Sequence, residues 1–161
     1  MIQSEYNLLV HTKKGGLLFM KNIIITFILF IGLFTMNAFA QTTRIKLTFG
    51  SNEIYALITN SKAGNDFLSL LPLNIKAEDY NSTEKIFYLS KKLNTQNEPD
   101  GINPKAGDIT YYAPWGNIAI FYKNFRYSNN LIYLGKFENA SDISKLSNMK
   151  GDFDIRIEKA N

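Results

Sequence analysis

The chain has 161 residues, with 18 Lys and Arg against 14 Asp and Glu, one histidine and no cysteine. The lone histidine, His11, precedes an apolar leader, so the chain beyond it has neither His nor Cys. That excludes Ser-His-Asp and Cys-His catalysis, zinc sites, histidine-ligated iron or copper, and any disulfide brace; an apolar core must hold the fold alone.

In chain order the leader comes first. Met20-Lys21 opens a short basic region, Ile23–Leu33 is an apolar run too short to span a bilayer comfortably, and Ala38-Phe39-Ala40 is an A-x-A cleavage signal before Gln41. This order predicts a secretory signal peptide over residues 20–40. No stop-transfer pattern follows, so no lasting membrane span is expected. Residues 1–19 are polar and aperiodic and read as an extension from a start site upstream of Met20; the competing reading is a genuine extension ahead of an uncleaved anchor. No cysteine follows the apolar run, which argues against lipid attachment. The expected product is one exported domain, residues 41–161, periplasmic or extracellular in a bacterium and monomeric. Lys13, Lys14, Lys21 and Glu5 leave with the leader, lowering the formal charge from +4 to +2. No basic run or arginine-rich helix remains to bind nucleic acid.

Arg44–Phe49 alternates Ile45, Leu47 and Phe49 against Lys46 and Thr48; Gly50-Ser51-Asn52 turns the chain, and Glu53–Ile58 resumes the alternation, which predicts a β-hairpin. Asn60–Asn65 reads as a polar loop. Asp66 is the expected cap of a short helix carrying Phe67, Leu70 and Leu71, stopped by Pro72. Leu73–Ala77 reads as a strand, Glu78–Thr83 as a polar connection and Lys85–Leu89 as another strand. Asn94–Gly107, with two prolines and two glycines, is the longest irregular stretch, of the kind that is often functional or mobile. Gly107–Tyr122, GDITYYAPWGNIAIFY, is strand, tight turn, strand around the only tryptophan. Leu131–Phe137 continues as a strand. Ser141 is the expected cap of a helix bearing Ile143, Leu146 and Met149, ended by Gly151, and Phe153, Ile155 and Ile157 alternate in a last strand. About eight short strands and two short helices predict a mostly β domain, a barrel or sandwich.

The order of these elements resembles the bacterial cyclophilin-like family. The likeness is carried by Asp66-Phe67 with Leu70-Leu71-Pro72-Leu73, Asp79-Tyr80, Thr83-Glu84-Lys85-Ile86, the GDITYYAPWGN run, Phe121-Tyr122, Leu134-Gly135-Lys136 and Gly151-Asp152-Phe153. It implies a closed eight-stranded barrel with two short helices. It does not bring isomerase activity with it. Cyclophilins carry a Phe-His-Arg segment whose arginine polarises the prolyl amide, and the counterpart here, Thr83-Glu84-Lys85-Ile86, has neither His nor Arg. Lys85 would be a poor substitute for a planar guanidinium.

The candidate ligand-binding residues are Tyr112, Trp115, Asn117, Phe121 and Arg126. The aromatics would stack a proline, a sugar or another flat ligand; the plain alternative is core packing and a turn anchor. Alternation sends Tyr111 and Tyr112 to opposite faces, so one fills the barrel. Asn117 would orient a peptide carbonyl or else bond its own turn. Arg126 would take a carboxylate or else sit solvated. Glu78, Asp79 and Glu84 would suit glycoside hydrolysis only at the right separation, and a solvated turn is the plainer reading. Asp152 and Asp154 lack a calcium-loop spacing. Asn81-Ser82-Thr83 and Asn139-Ala140-Ser141 match the glycosylation pattern by chance in a bacterial chain. No catalytic residue, metal or cofactor is implied. The expectation is a binding module for a peptide or small ligand; the alternatives are a peptidyl-prolyl isomerase using the same groups and a carbohydrate-active protein.

Overall fold

The structure is a computed structural model and describes residues 41–160; the leader, the extension before it and His11 lie outside the described residues. Period-2 alternation makes the first hairpin. β1 (Thr42–Phe49) and β2 (Asn52–Thr59) pair from Thr42↔Thr59 to Phe49↔Asn52, and Gly50 takes the positive φ (53°) that the reversal needs. Ser61 then caps α1 (Lys62–Leu68), its side chain accepting from the Gly64 N–H at 3.1 Å.

The expected cap, Asp66, is therefore inside the helix, which starts four residues before it. Gly64 signals a loop in sequence, yet here it lets the helix lie against β2: a Cβ on it would collide with the Thr59 carbonyl. Leu70 and Leu71 fall beyond the helix and pack on the core from there.

β3 runs Leu73–Tyr80, so Glu78, Asp79 and Tyr80 belong to a strand rather than to the polar connection expected there. Asn81 and Ser82 both take positive φ (51° and 49°), and Thr83 N–H donates to the Tyr80 carbonyl. That tight turn sets β4 (Glu84–Tyr88) on β3 with Tyr80 opposite Glu84 and Asp79 opposite Lys85. β5 (Gly101–Ile102) is a short piece of the long irregular stretch. It pairs with β8 (Ser128–Asn129) outside the barrel. The same stretch is tied to α1, since Ala63 N–H donates to Glu98 and Asn94 N–H to Asp66, both at 2.9 Å.

β6 (Asp108–Tyr112) and β7 (Asn117–Phe121) form the central hairpin, and β9 (Leu131–Phe137) pairs with β6 on its other side. A 3₁₀ turn (Ala140–Asp142) leads into α2 (Ile143–Ser147), which buries Leu146. Ser141 makes no cap bond there; its carbonyl accepts from Ser144 Oγ instead. β10 (Phe153–Lys159) pairs with both β3 and β1.

That last pairing closes an antiparallel barrel in the order β1-β10-β3-β4-β7-β6-β9-β2. The eight-stranded closed barrel with two short helices is the expected fold. Its interior holds Ile45, Leu47, Ile58, Ile109, Tyr111, Ile118, Ile120 and Ile157. Alternation makes Tyr111 an interior residue, its hydroxyl accepting from Leu93 N–H at 3.2 Å, and sends Tyr112 outward.

Gly64→Ala forces a methyl onto backbone and should destabilise the barrel by about 1–3 kcal/mol, the usual cost of overpacking. Urea unfolding would show the lower midpoint at an unchanged slope.

Candidate functional site

The outward faces of β4, β7, β6 and β9 lie side by side and form the floor of a groove. Ile86, Ala119, Phe121 and Leu131 are its buried apolar centre, separate from the barrel core, with Ile102, Tyr112 and Phe125 packed around them. The groove has a volume of about 510 Å³. Tyr80, Trp115 and Tyr127, three of the four large apolar side chains exposed among the described residues, stand on its walls.

The Ala113-Pro114-Trp115-Gly116 turn places Trp115 over this face. Gly116 takes φ 74° and its N–H donates to the Tyr112 carbonyl at 2.9 Å. Trp115 remains 49% exposed. Its ring meets Tyr112 edge-on at 5.5 Å and Tyr80 edge-on at 5.6 Å between centroids, the geometry that aromatic quadrupoles favour. At the other end Phe121 and Phe125 stack at 6.2 Å, and the exposed Arg126 guanidinium lies 5.6 Å from the Phe125 ring. All five residues singled out in the sequence, Tyr112, Trp115, Asn117, Phe121 and Arg126, therefore line one groove.

Asn117 is 2% exposed. Its Nδ2 donates to the Ile118 carbonyl at 3.3 Å, the local bond expected of a turn asparagine, while its Oδ1 is buried with no partner among the described residues. A buried acceptor left unpaired costs roughly 1–3 kcal/mol.

Sequence reasoning missed Tyr80 and Glu84 as groove residues, because their place follows from the β3–β4 register rather than from any local pattern. Glu84 and Ile86 point into the groove, and the Glu84 carboxyl forms no hydrogen bond or ion pair among the described residues. Burial without compensation pushes it up from 4.5 to about 7.

Lys85, one residue on, points the other way. It is 1% exposed inside the barrel end, where Nζ donates to Asp79 Oδ1 at 2.6 Å and to the Met149 carbonyl at 2.7 Å. Tyr122 Oη donates to the same Asp79 oxygen at 2.8 Å. Burial pushes the Asp79 carboxyl up, but the hydrogen bonds from Lys85 and Tyr122 and the Lys85 charge together hold it below the usual range. The Thr83–Ile86 segment thus contributes a carboxyl to the groove, and its cation braces the barrel end.

Within the acidic group, Asp79 and Glu84 lie on opposite faces of the sheet, whereas Glu78 shares the Glu84 face, diagonal to it across the β3–β4 pair. Asp152 precedes β10, and Asp154 is an exposed partner of Lys76 at 3.8 Å. No group of three potential metal ligands occurs among the described residues.

A closed antiparallel barrel with an aromatic groove on one outer face defines the class. Residues 47–158 match the cyclophilin-like family, and the chain belongs to it. The solution structure of a hypothetical protein from Archaeoglobus fulgidus aligns with 78% of this chain and 100% of its own, with a TM-score of 0.54 at 17% identity, which shows a shared fold alone. No curated protein matches the sequence.

Two stability predictions follow from the opposed pair. Asp79→Ala strands the buried Lys85 ammonium and should cost roughly 3–5 kcal/mol in urea unfolding, whereas Lys85→Met leaves a partly exposed carboxylate that water can reach and should cost far less. Because the folded Glu84 carboxyl is raised from 4.5 to about 7, its contribution to stability is complete below pH 4.5 and lost as pH rises through 7. Glu84→Gln should remove that decline, which after solvent screening is on the order of 2 kcal/mol between pH 4.5 and 7.5.

Proposed function

We propose that the protein is an exported, non-catalytic binding domain that holds an extended peptide segment or similar small ligand in the groove. The observation that carries this reading is the unpaired, buried Asn117 Oδ1 on an apolar floor walled by exposed aromatics. A free-standing fold gains nothing by leaving that acceptor unpaired and Trp115 half exposed. A ligand that brings an N–H and a flat or apolar body would satisfy both. The export leader supplies the location in this reading. The turning of Lys85 away from the groove supports binding without turnover, because it leaves Arg126, exposed beside the Phe125 ring, as the cation lining the groove.

Trp115 is the only tryptophan, so its fluorescence reports the groove directly. Titration with short Ala-Pro peptides should shift that emission. NMR exchange between the cis and trans peptide, which takes tens of seconds or longer uncatalysed, should stay at its free rate while the lines broaden. Trp115→Ala should weaken binding about tenfold or more, as loss of a central aromatic anchor does. Sub-second exchange that disappears in Trp115→Ala would replace this reading with an isomerase.

A further inference from the structure

Glu84 and Asn117 occupy the two ends of the groove floor. Glu84 lies opposite Phe121 and Asn117 four residues earlier on β7, which places them roughly 13 Å apart at strand rise. Each has a tyrosine as cross-strand neighbour: Tyr80 is paired with Glu84 and Tyr112 with Asn117. Trp115 touches both tyrosines. The result is one continuous aromatic wall with an unpartnered acceptor at either end.

The chemistry of these groups is asymmetric. Glu84 and Asn117 Oδ1 present acceptors without partners among the described residues, Asn117 fully and Glu84 partly withdrawn from water, while the amides of Asn81, Asn129 and Asn130 that also line the groove are exposed. The donor on the rim, Arg126, is exposed, and its hydration leaves nothing to be satisfied. A carboxylate beside aromatic faces in a partly dry site is the arrangement that recognises an organic cation, by charge at the carboxylate and by the ring quadrupoles along the wall.

We infer that the groove selects a ligand carrying a protonated amine, with the ammonium at Glu84 and a neutral N–H at Asn117 Oδ1. This rests on the peptide-binding reading above and names the occupant: an extended peptide with a lysine side chain at one end of a stretch of about three to four residues. Glu84 must be ionised to hold the cation. The titratable and charged groups around it are Tyr80 and, diagonally on the same face of β3, Glu78, then Arg126 on the segment over the groove and Tyr122 just past β7. The Tyr122 phenol is pushed up to about 12 by burial, by its bond to Asp79 and by the charges of Asp79 and Glu84. Lys85 and Asp79 face the opposite side and neutralise one another. Burial places the Glu84 carboxyl at about 7, so affinity should rise with pH through that value.

The test uses four end-blocked peptides of identical sequence, differing at one position that holds lysine, Nε-acetyl-lysine, norleucine or glutamate, together with free 1,5-diaminopentane. Binding is followed by Trp115 fluorescence and by the NMR shifts of the Trp115 indole and Asn117 amide. The lysine peptide should bind at least tenfold more tightly than the other three at pH 8. That preference should vanish in Glu84→Gln and fall several-fold at pH 5.5. Equal affinity for norleucine and lysine, or preference for glutamate, would overturn the cation inference while leaving peptide binding intact. Diaminopentane binding as tightly as the lysine peptide would keep the cation and remove the peptide. No shift with any probe would sink both readings.

Discussion

Closure of the barrel by the β1–β10 pairing is the constraint on which the rest of the structure depends. Once the sheet closes on itself, the inward set of every strand must fill a fixed volume, and the branched and aromatic side chains of β1, β2, β6, β7 and β10 do so with almost no exposure. The outward set then has no core to join. On β1 and β10 that set is charged and paired: Lys46 reaches Glu158 at 3.1 Å, and Arg44 grips Glu138 at 2.8 Å. On β4, β7, β6 and β9 it is built around an apolar centre, Ile86, Ala119, Phe121 and Leu131, and no helix among the described residues covers it. A second apolar cluster on the outside of a closed barrel needs another cover. The chain supplies a partial one through Ile102, Phe125 and the β5–β8 bridge, which leave the middle of the face open.

How much of this is legible in the sequence depends on whether the cause is local. The two hairpins are written in alternation and turn residues, and GDITYYAPWGN displays its strand, turn and strand directly. It also displays the division of Tyr111 from Tyr112, because the side-chain period of a strand is two. The N-cap at Ser61 is harder to read. Gly64 marks a breaker in sequence, but its purpose is a contact with the Thr59 carbonyl, seen only once α1 lies on β2. The extension of β3 through Tyr80 is invisible for a related reason: Glu78, Asp79 and Tyr80 are all exposed, so burial leaves no alternating trace there. The five groove residues on and just after the central hairpin could be found from its strand-turn-strand pattern. Tyr80 and Glu84 could not, because their membership comes from a register set by two positive-φ residues, Asn81 and Ser82.

That register also decides the electrostatics. Glu84 and Lys85 are adjacent and of opposite charge, and a slip of one residue would exchange their faces. As the strands pair, Lys85 meets Asp79 directly across the hairpin and finds a carbonyl from the segment after α2, so a cation withdrawn from water has two acceptors. Glu84 meets Tyr80 and Phe121 and finds no donor. Desolvation acts on both residues, but only one is answered within the fold. The burial of Lys85 therefore has a structural account in the bracing of the barrel end against Met149. The uncompensated carboxyl of Glu84 and the uncompensated Oδ1 of Asn117 have none. Stability alone would favour an apolar residue or a donor at either place. Both lie on the one outer face that the barrel leaves open, at the two ends of an aromatic wall, and an account of them that stays within the folded chain has to treat that coincidence as accidental. In the binding reading proposed above, a ligand bearing donors at a matching separation would account for both residues, and for the exposure of Trp115 between them, with a single cause.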